Sequence, residues 1–236
     1  MLDAHPGIAM ARPGNPEPKV FMRDEIVQRG ADWYRATYFA HATPGQLLGE
    51  KSTSYLEDRA AAARAAAVLG RAEIVAQLRD PIDRAISNWR FSTENGLEDR
   101  PLVRALEENV DGSRDWEPAT TSVSPYAYLE RGRYLDGLEP WFVSFPDSVH
   151  VTFLDDAVTQ PSSIGAVYAA VGVDPHHRPR GLRQAVNTSG GTSPSIGPDL
   201  HSRLRDYFRD HDERLQERLR RTLPWAVGAT PTRSGR

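Results

Sequence analysis

Residues 73–87, Glu73-Ile74-Val75-Ala76-Gln77-Leu78-Arg79-Asp80-Pro81-Ile82-Asp83-Arg84-Ala85-Ile86-Ser87, hold the junction on which the fold class turns. The first six form a short, mostly apolar run, the pattern of a buried strand. Arg79-Asp80-Pro81 ends it. Asp80 suits the N-cap, Pro81 the first helical position and Asp83 the first turn, so a helix opens here and runs to about Phe91. Just upstream, residues 57–69 predict another helix, because alanine is the best helix former and acids begin the segment; Gly70 is a natural stop. Downstream the pattern repeats, with a helix over Tyr126–Phe145, a strand over Ser148–Leu154 and a helix over Ser162–Val171. Such alternation points to an α/β domain with a mainly parallel sheet.

The ends of the chain read differently. Prolines at 6, 13, 16 and 18 predict irregular chain over the first forty-odd residues, with Trp33, Tyr34, Tyr38 and Phe39 on one face of a short helix over Asp32–Phe39. From Asp199 to about Leu223, the residues Leu200, Leu204, Tyr207, Phe208, Leu215 and Leu219 form an apolar stripe among charges, the mark of a covering helix. Residues 228–236 read as a disordered tail, leaving one domain over residues 1–227.

Composition excludes several function classes. There is no cysteine among 236 residues, which removes disulfides, thiolate metal sites and cysteine nucleophiles. With 29 basic and 32 acidic residues the net charge is -3, no footprint for nucleic-acid binding. The longest weakly apolar run, Ile164 to Val173, is too short to span a membrane, and the N-terminus lacks the basic and apolar regions of a secretory signal. A cytoplasmic location is the expectation.

Gly-x-Ser-x-Gly, His-Glu-x-x-His, Gly-x-Gly-x-x-Gly and EF-hand patterns are all missing, and no metal is expected. His176-His177, in a Pro-flanked loop, reads as surface. Gly45-Gln-Leu-Leu-Gly-Glu-Lys51-Ser52 has the first glycine, lysine and serine of a Walker A loop, but Glu50 stands where the second glycine belongs and would face the phosphates. Arg79, at a strand end, is the better anion candidate. Asp80, Arg84 and Ser87 share one helix face by spacing, so a guanidinium, a hydroxyl and a helix N-terminus could meet a phosphate monoester there. The same turn also reads as nothing more than a cap and a helix start.

Leu78-Arg-Asp-Pro-Ile-Asp-Arg-Ala-Ile-Ser87-Asn-Trp resembles the 3′-phosphate-binding segment of sulfotransferases that use PAPS (3′-phosphoadenosine 5′-phosphosulfate), in particular the heparan sulfate and bacterial carbohydrate branch. Further matches keep the family's order. His5-Pro-Gly-Ile-Ala-Met10 and Pro16-Glu17-Pro-Lys-Val-Phe21 look like the stretch bearing its acidic catalytic residue, and Gly49-Glu-Lys51-Ser-Thr-Ser-Tyr55 resembles its Gly-Glu-Lys segment. Arg131-Gly-Arg-Tyr134 looks like the helix after the acceptor region, and Asp199 to Trp225 is similar to the C-terminal helix with its closing tryptophan.

The resemblance implies a P-loop NTPase-like three-layer α/β sandwich and transfer of a sulfuryl group from PAPS to a hydroxyl or amine of a glycan, glycolipid or small-molecule acceptor. Glu17 would be the general base, Lys51 would orient it or offset growing charge, and Arg79 and Ser87 would hold the 3′-phosphate. Ser189, Gly190, Gly191 and Thr192 correspond to a second donor-binding loop, in which Ser189 and Gly191 replace the basic residues usual in relatives. The family's first strand and its Lys-x-Gly-Thr loop have no counterpart, so the N-terminal strand is expected to be missing. Glu17 as a solvated loop acid, and Lys51 as a partner of Glu50 or Asp58, are the structural alternatives. A catalytically silent relative that binds a 3′-phosphoadenosine nucleotide such as PAP, or a protein partner, is the main functional one, ahead of a small-molecule kinase. Alanine and arginine richness suggests a bacterial gene, and a homo-oligomer is left open.

Overall fold

The structure is a computed structural model that describes residues 2–117, 121–159, 161–178 and 195–226. In chain order its strands are β1 (Ile8–Met10), β2 (Leu47–Gly49), β3 (Ile74–Leu78) and β4 (Val149–Phe153). Its helices are α1 (Asp24–Val27), α2 (Gly30–Tyr38), α3 (Ala61–Leu69), α4 (Pro81–Glu94), α5 (Leu102–Asn109), α6 (Tyr134–Ser144), α7 (Leu154–Thr159), α8 (Pro161–Ala170) and α9 (Pro198–Leu219). Two units interleave along the chain, one of Met1–Gln77 with Gly137–Gly191 and the other of Leu78–Asp136 with Thr192–Arg236.

The first unit contains the strand pairs β1–β2 and β3–β4. β1 and β2 are parallel, with Ile8 opposite Leu47 and Met10 opposite Gly49, and the ladder is extended by Ala11 N–H to Gly49 O at 2.7 Å. Its core gathers Val20, Phe21, Tyr34 and Phe39 with the alanine face of α3, with Trp141 of α6 and with Phe145 just beyond that helix. Small alanines let α3 approach closely: Ala61, Ala62 and Ala65 are fully buried. A smaller cluster packs Ile8 against Ile164 and Tyr168 of α8.

The second unit is helical. α4, α5 and α9 enclose Ile82, Ala85, Leu106, Leu129, Leu204 and Phe208. Burying a leucine or phenylalanine of this kind stabilises by about 1.5–3 kcal/mol. The closest approach is at Gly132, where a Cβ would sit 2.7 Å from the Phe208 ring and 2.9 Å from Pro81. Asp80 is the N-cap of α4, its side chain accepting from Ile82 N–H at 2.8 Å, with Pro81 at the first position as the sequence predicts.

Three expectations need correction. Outside the short helix expected over Asp32–Phe39, which is α2, the first forty residues are not irregular throughout, since β1 and α1 lie there as well; β1 is formed by pairing with β2 and has little local signal. The helix predicted over residues 57–69 starts at Ala61, and Thr53–Glu57 is a 3₁₀ turn before it; Asp58 accepts from Ala60 N–H at 2.9 Å, which serves the helix entry. The predicted helix over residues 126–145 begins at Tyr134, preceded by a 3₁₀ turn at Glu130–Gly132. The reason is competition for carbonyls: Pro125 O accepts from Ser92 Oγ at 2.8 Å and Tyr128 O from the Arg84 guanidinium, so α4 side chains take what a helix would need. α5 was not foreseen. The tail over residues 228–236 lies outside the described residues.

Candidate active site

In the first unit, Glu17 meets Lys51 and Thr53. Lys51 Nζ donates to Glu17 Oε1 at 2.9 Å, while the N–H and the hydroxyl of Thr53 both donate to Oε2 at 2.9 Å. The Glu17 side chain is 18% exposed and that of Lys51 71% exposed, so a half-sheltered carboxylate is held by an ammonium that reaches out of solvent. Burial by itself raises the Glu17 pKa, but the Lys51 and Thr53 donors outweigh it and the net direction is down. Glu17 is therefore ionised at neutral pH, as a proton acceptor must be.

Behind this triad stands Glu50. Its carboxylate accepts from Tyr34 OH at 2.7 Å, from Ser52 Oγ at 2.8 Å and, over a short contact, from Tyr55 OH. Ser52 Oγ in turn accepts from Lys19 N–H at 3.0 Å and Tyr55 OH from Phe21 N–H at 3.3 Å. One carboxylate thus fastens the chain around Lys19–Phe21 to the chain around Ser52–Tyr55, which sets Glu17 against Lys51. Burial first, and then the Glu50 charge, push both tyrosine hydroxyls far above their ordinary pKa, so they are donors throughout the physiological range. Glu50 faces hydroxyls rather than phosphates. The Walker-like reading fails structurally as well, because Leu47–Gly49 is strand and a 3₁₀ turn follows it in place of a helix. Lys51 pairs with Glu17, and neither Glu50 nor Asp58 is its partner; Asp58 binds Arg64 at 2.7 Å.

In the second unit, Arg79 directly follows β3 and Ser87 is exposed on α4. The Arg79 guanidinium bends over the first turn of α4 to donate to Arg84 O at 3.3 Å, and its own carbonyl accepts from Tyr134 OH at 2.8 Å. The other members of the spacing-based constellation are engaged within the unit. Asp80 caps α4 and pairs with Arg205, so the helix N-terminus is already met by a carboxylate. Arg84 reaches the Tyr128 carbonyl and, at 3.2 Å, Asn88. Arg79, itself engaged at Arg84 O, is a planar multi-donor group at a strand end, and Ser87 is a hydroxyl on an exposed helix face, group types that suit an anion.

Ser189, Gly190, Gly191 and Thr192 lie outside the described residues. His176 is exposed, whereas His177 is half-buried, near Ala4 O at 3.0 Å and edge-on to His5. Thr53, Glu50 and Tyr134 are the residues that sequence reasoning missed. Thr53 and Glu50 lie inside the quoted Gly-Glu-Lys segment, but Glu17, the partner of Thr53, is 36 positions away, and Tyr34, one of the partners of Glu50, is 16. Among the described residues no group of acids and histidines could hold a metal ion.

The chain is similar to known proteins over most of its length. It is 26% identical over 247 residues to mouse heparan sulfate glucosamine 3-O-sulfotransferase 3B1, covering 95% of this chain and 60% of that protein. It is 26% identical over 246 residues to human bifunctional heparan sulfate N-deacetylase/N-sulfotransferase 3, covering 92% of this chain and 28% of that one. The crystal structure of a sulfotransferase from Alicyclobacillus acidocaldarius shares the fold, with a TM-score of 0.73 and 24% identity over 94% of this chain and 89% of that chain. The proteins this chain is similar to are sulfotransferases. No protein-family model matches it. The chain spans about 60% of the length of the 3-O-sulfotransferase and 28% of that of the bifunctional protein. The α/β, P-loop-like architecture expected from the sequence is the fold of the bacterial structure.

Proposed function

We propose that this chain is a sulfotransferase that moves the sulfuryl group of PAPS to a hydroxyl, or an amine, of a glycan, glycolipid or small-molecule acceptor. The observation that carries the reading is Glu17, ionised and held by three donors from Lys51 and Thr53. The acceptor oxygen attacks sulfur in line, forming the new S–O bond as the bond from sulfur to the bridging oxygen of the donor breaks and PAP leaves. The acceptor proton passes to Glu17. Lys51, already an ion-pair partner of Glu17, offsets the negative charge that grows on the bridging oxygen. Arg79 and Ser87 hold the 3′-phosphate. Arrangement of reactants and electrostatics supply the rate, as in phosphoryl transfer.

The reading is tested by calorimetric titration of PAP and by transfer from labelled PAPS to a panel of glycans and small hydroxyl compounds. Binding of PAP, its loss in Arg79→Ala, and transfer to one acceptor class are the expected results. A chain that binds PAP as well with Arg79→Ala as without it refutes the donor assignment.

A further inference from the structure

The strand–helix junction of the second unit is tied twice to α9 and the turn that follows it. One tie is direct. Asp80, which caps α4 through Oδ1, pairs through Oδ2 with Arg205 of α9. The other is a relay. Asp212 lies seven residues beyond Arg205, on the same face of α9, and accepts the indole N–H of Trp225 at 2.9 Å. The Trp225 ring packs against Tyr134 with centroids 6.1 Å apart, and the Tyr134 hydroxyl donates to the main-chain carbonyl of Arg79 at 2.8 Å.

The relay is built of buried parts: Trp225 is 8% and Tyr134 7% exposed. The core of this unit is closed by Leu204 and Phe208 without it. Keeping a carboxylate under partial cover is unfavourable, and burial pushes the Asp212 pKa up to about 6 against the smaller opposing effects of Trp225 and Arg205. Such a group is retained where its bond has a use. A hydrogen bond to the Arg79 carbonyl fixes the peptide plane there, and with it the direction in which the Arg79 side chain leaves the backbone.

We infer that Asp212, Trp225 and Tyr134 are positioning residues for Arg79, aiming its guanidinium at the 3′-phosphate of the donor nucleotide. The inference rests on the donor assignment given under Proposed function. None of the three touches the nucleotide; each acts through the next, and the chain ends at a main-chain atom.

The test is calorimetric titration of PAP into the full chain and its variants, with urea unfolding of each measured in parallel. Tyr134→Phe keeps the ring and removes only the bond to Arg79, and Trp225→Phe keeps an aromatic ring but removes the N–H together with part of the buried indole. Each should weaken PAP binding by about three- to tenfold, the range of one lost hydrogen bond. Asp212→Asn, which retains an oxygen acceptor, should stay within about twofold of the parent, whereas Asp212→Leu should match Trp225→Phe. If Arg79→Ala abolishes binding while Tyr134→Phe and Trp225→Phe lower only urea stability, the relay is merely structural and the inference falls, with the donor assignment intact. If the parent does not bind PAP, or Arg79→Ala changes nothing, the donor assignment falls and takes the inference with it.

Discussion

Thr53 donates twice to one oxygen of Glu17, through its main-chain N–H and its hydroxyl, both at 2.9 Å. With Lys51 on the other oxygen, the carboxylate is fixed in direction and in charge. A carboxylate so held has one proton-accepting form at neutral pH, and its basicity is set by how tightly its donors hold it.

Glu17→Gln should therefore lower turnover by about 10²- to 10⁴-fold, the usual contribution of a general base, while leaving PAP affinity within twofold. Single-turnover rates and calorimetry on the same preparation separate the two. An equal loss of both would make Glu17 a structural residue.

Removing a donor should move the acid limb of the pH–rate profile. Lys51→Met and Thr53→Val each take away an interaction that favours the charged form, so the Glu17 pKa rises toward and beyond the ordinary carboxylate value. Activity should then fail at a higher pH than in the parent. An acid limb that stays in place in both variants would show that a different group titrates.

Glu50→Leu should destabilise the first unit by about 2–4 kcal/mol, since it leaves the hydroxyls of Tyr34, Ser52 and Tyr55 without their acceptor. Urea unfolding measures it. Adding Tyr34→Phe and Tyr55→Phe should restore part of the loss, because orphaned hydroxyls cost more than absent ones.

Acid sensitivity should be concentrated at Glu98. Its side chain is 0% exposed and receives the Arg100 guanidinium at 2.7 Å and Tyr128 OH at 2.8 Å. Burial alone would raise its pKa, but Arg100 above all, with Tyr128, brings it down to about 2. A depressed carboxylate stabilises above its unfolded value of about 4.3, and that stability is lost as pH falls through the folded value. Unfolding free energy should accordingly drop between about pH 4.3 and 2. The drop should flatten in Glu98→Gln, which starts from a lower stability at neutral pH.

Gly132→Ala should cost about 1–3 kcal/mol through overpacking, as the new methyl would press on both Phe208 and Pro81. Phe208→Leu in the same chain should recover part of it if the clash with the ring is the cause; thermal unfolding of the double variant decides.

The junction at Leu78–Pro81 was legible because its signals are local: an apolar run, a cap residue and a proline in successive positions. α9 was legible for the same reason, its stripe recurring at helical spacing. β1 was not, for three residues between prolines and glycines become a strand only beside β2, some forty positions away. The segment before Tyr134 has helical composition, yet Arg84 and Ser92 of α4 claim its carbonyls, and nothing in the segment itself announces that. At the candidate site, Glu17 and Lys51 follow from resemblance, whereas Thr53 and Glu50 take meaning only once the chain has brought Glu17 and Tyr34 to them.

The grip of α4 on the residues before Tyr134 has an evolutionary side. Ser92 and Asn88 of α4 reach Pro125 O and Arg84 of α4 reaches Tyr128 O, while Arg131 of the segment itself reaches Ser124 O, so what is held at each point is a peptide oxygen that every amino acid possesses. These bonds leave the side chains at 124 and 125 to other constraints, since the Ser124 hydroxyl accepts from Tyr126 N–H at 3.2 Å and Pro125 is buried. Descendants of this sequence that keep the anchoring arms can therefore inherit the path of the chain even where a substitution at 124 or 125 preserves only the local packing.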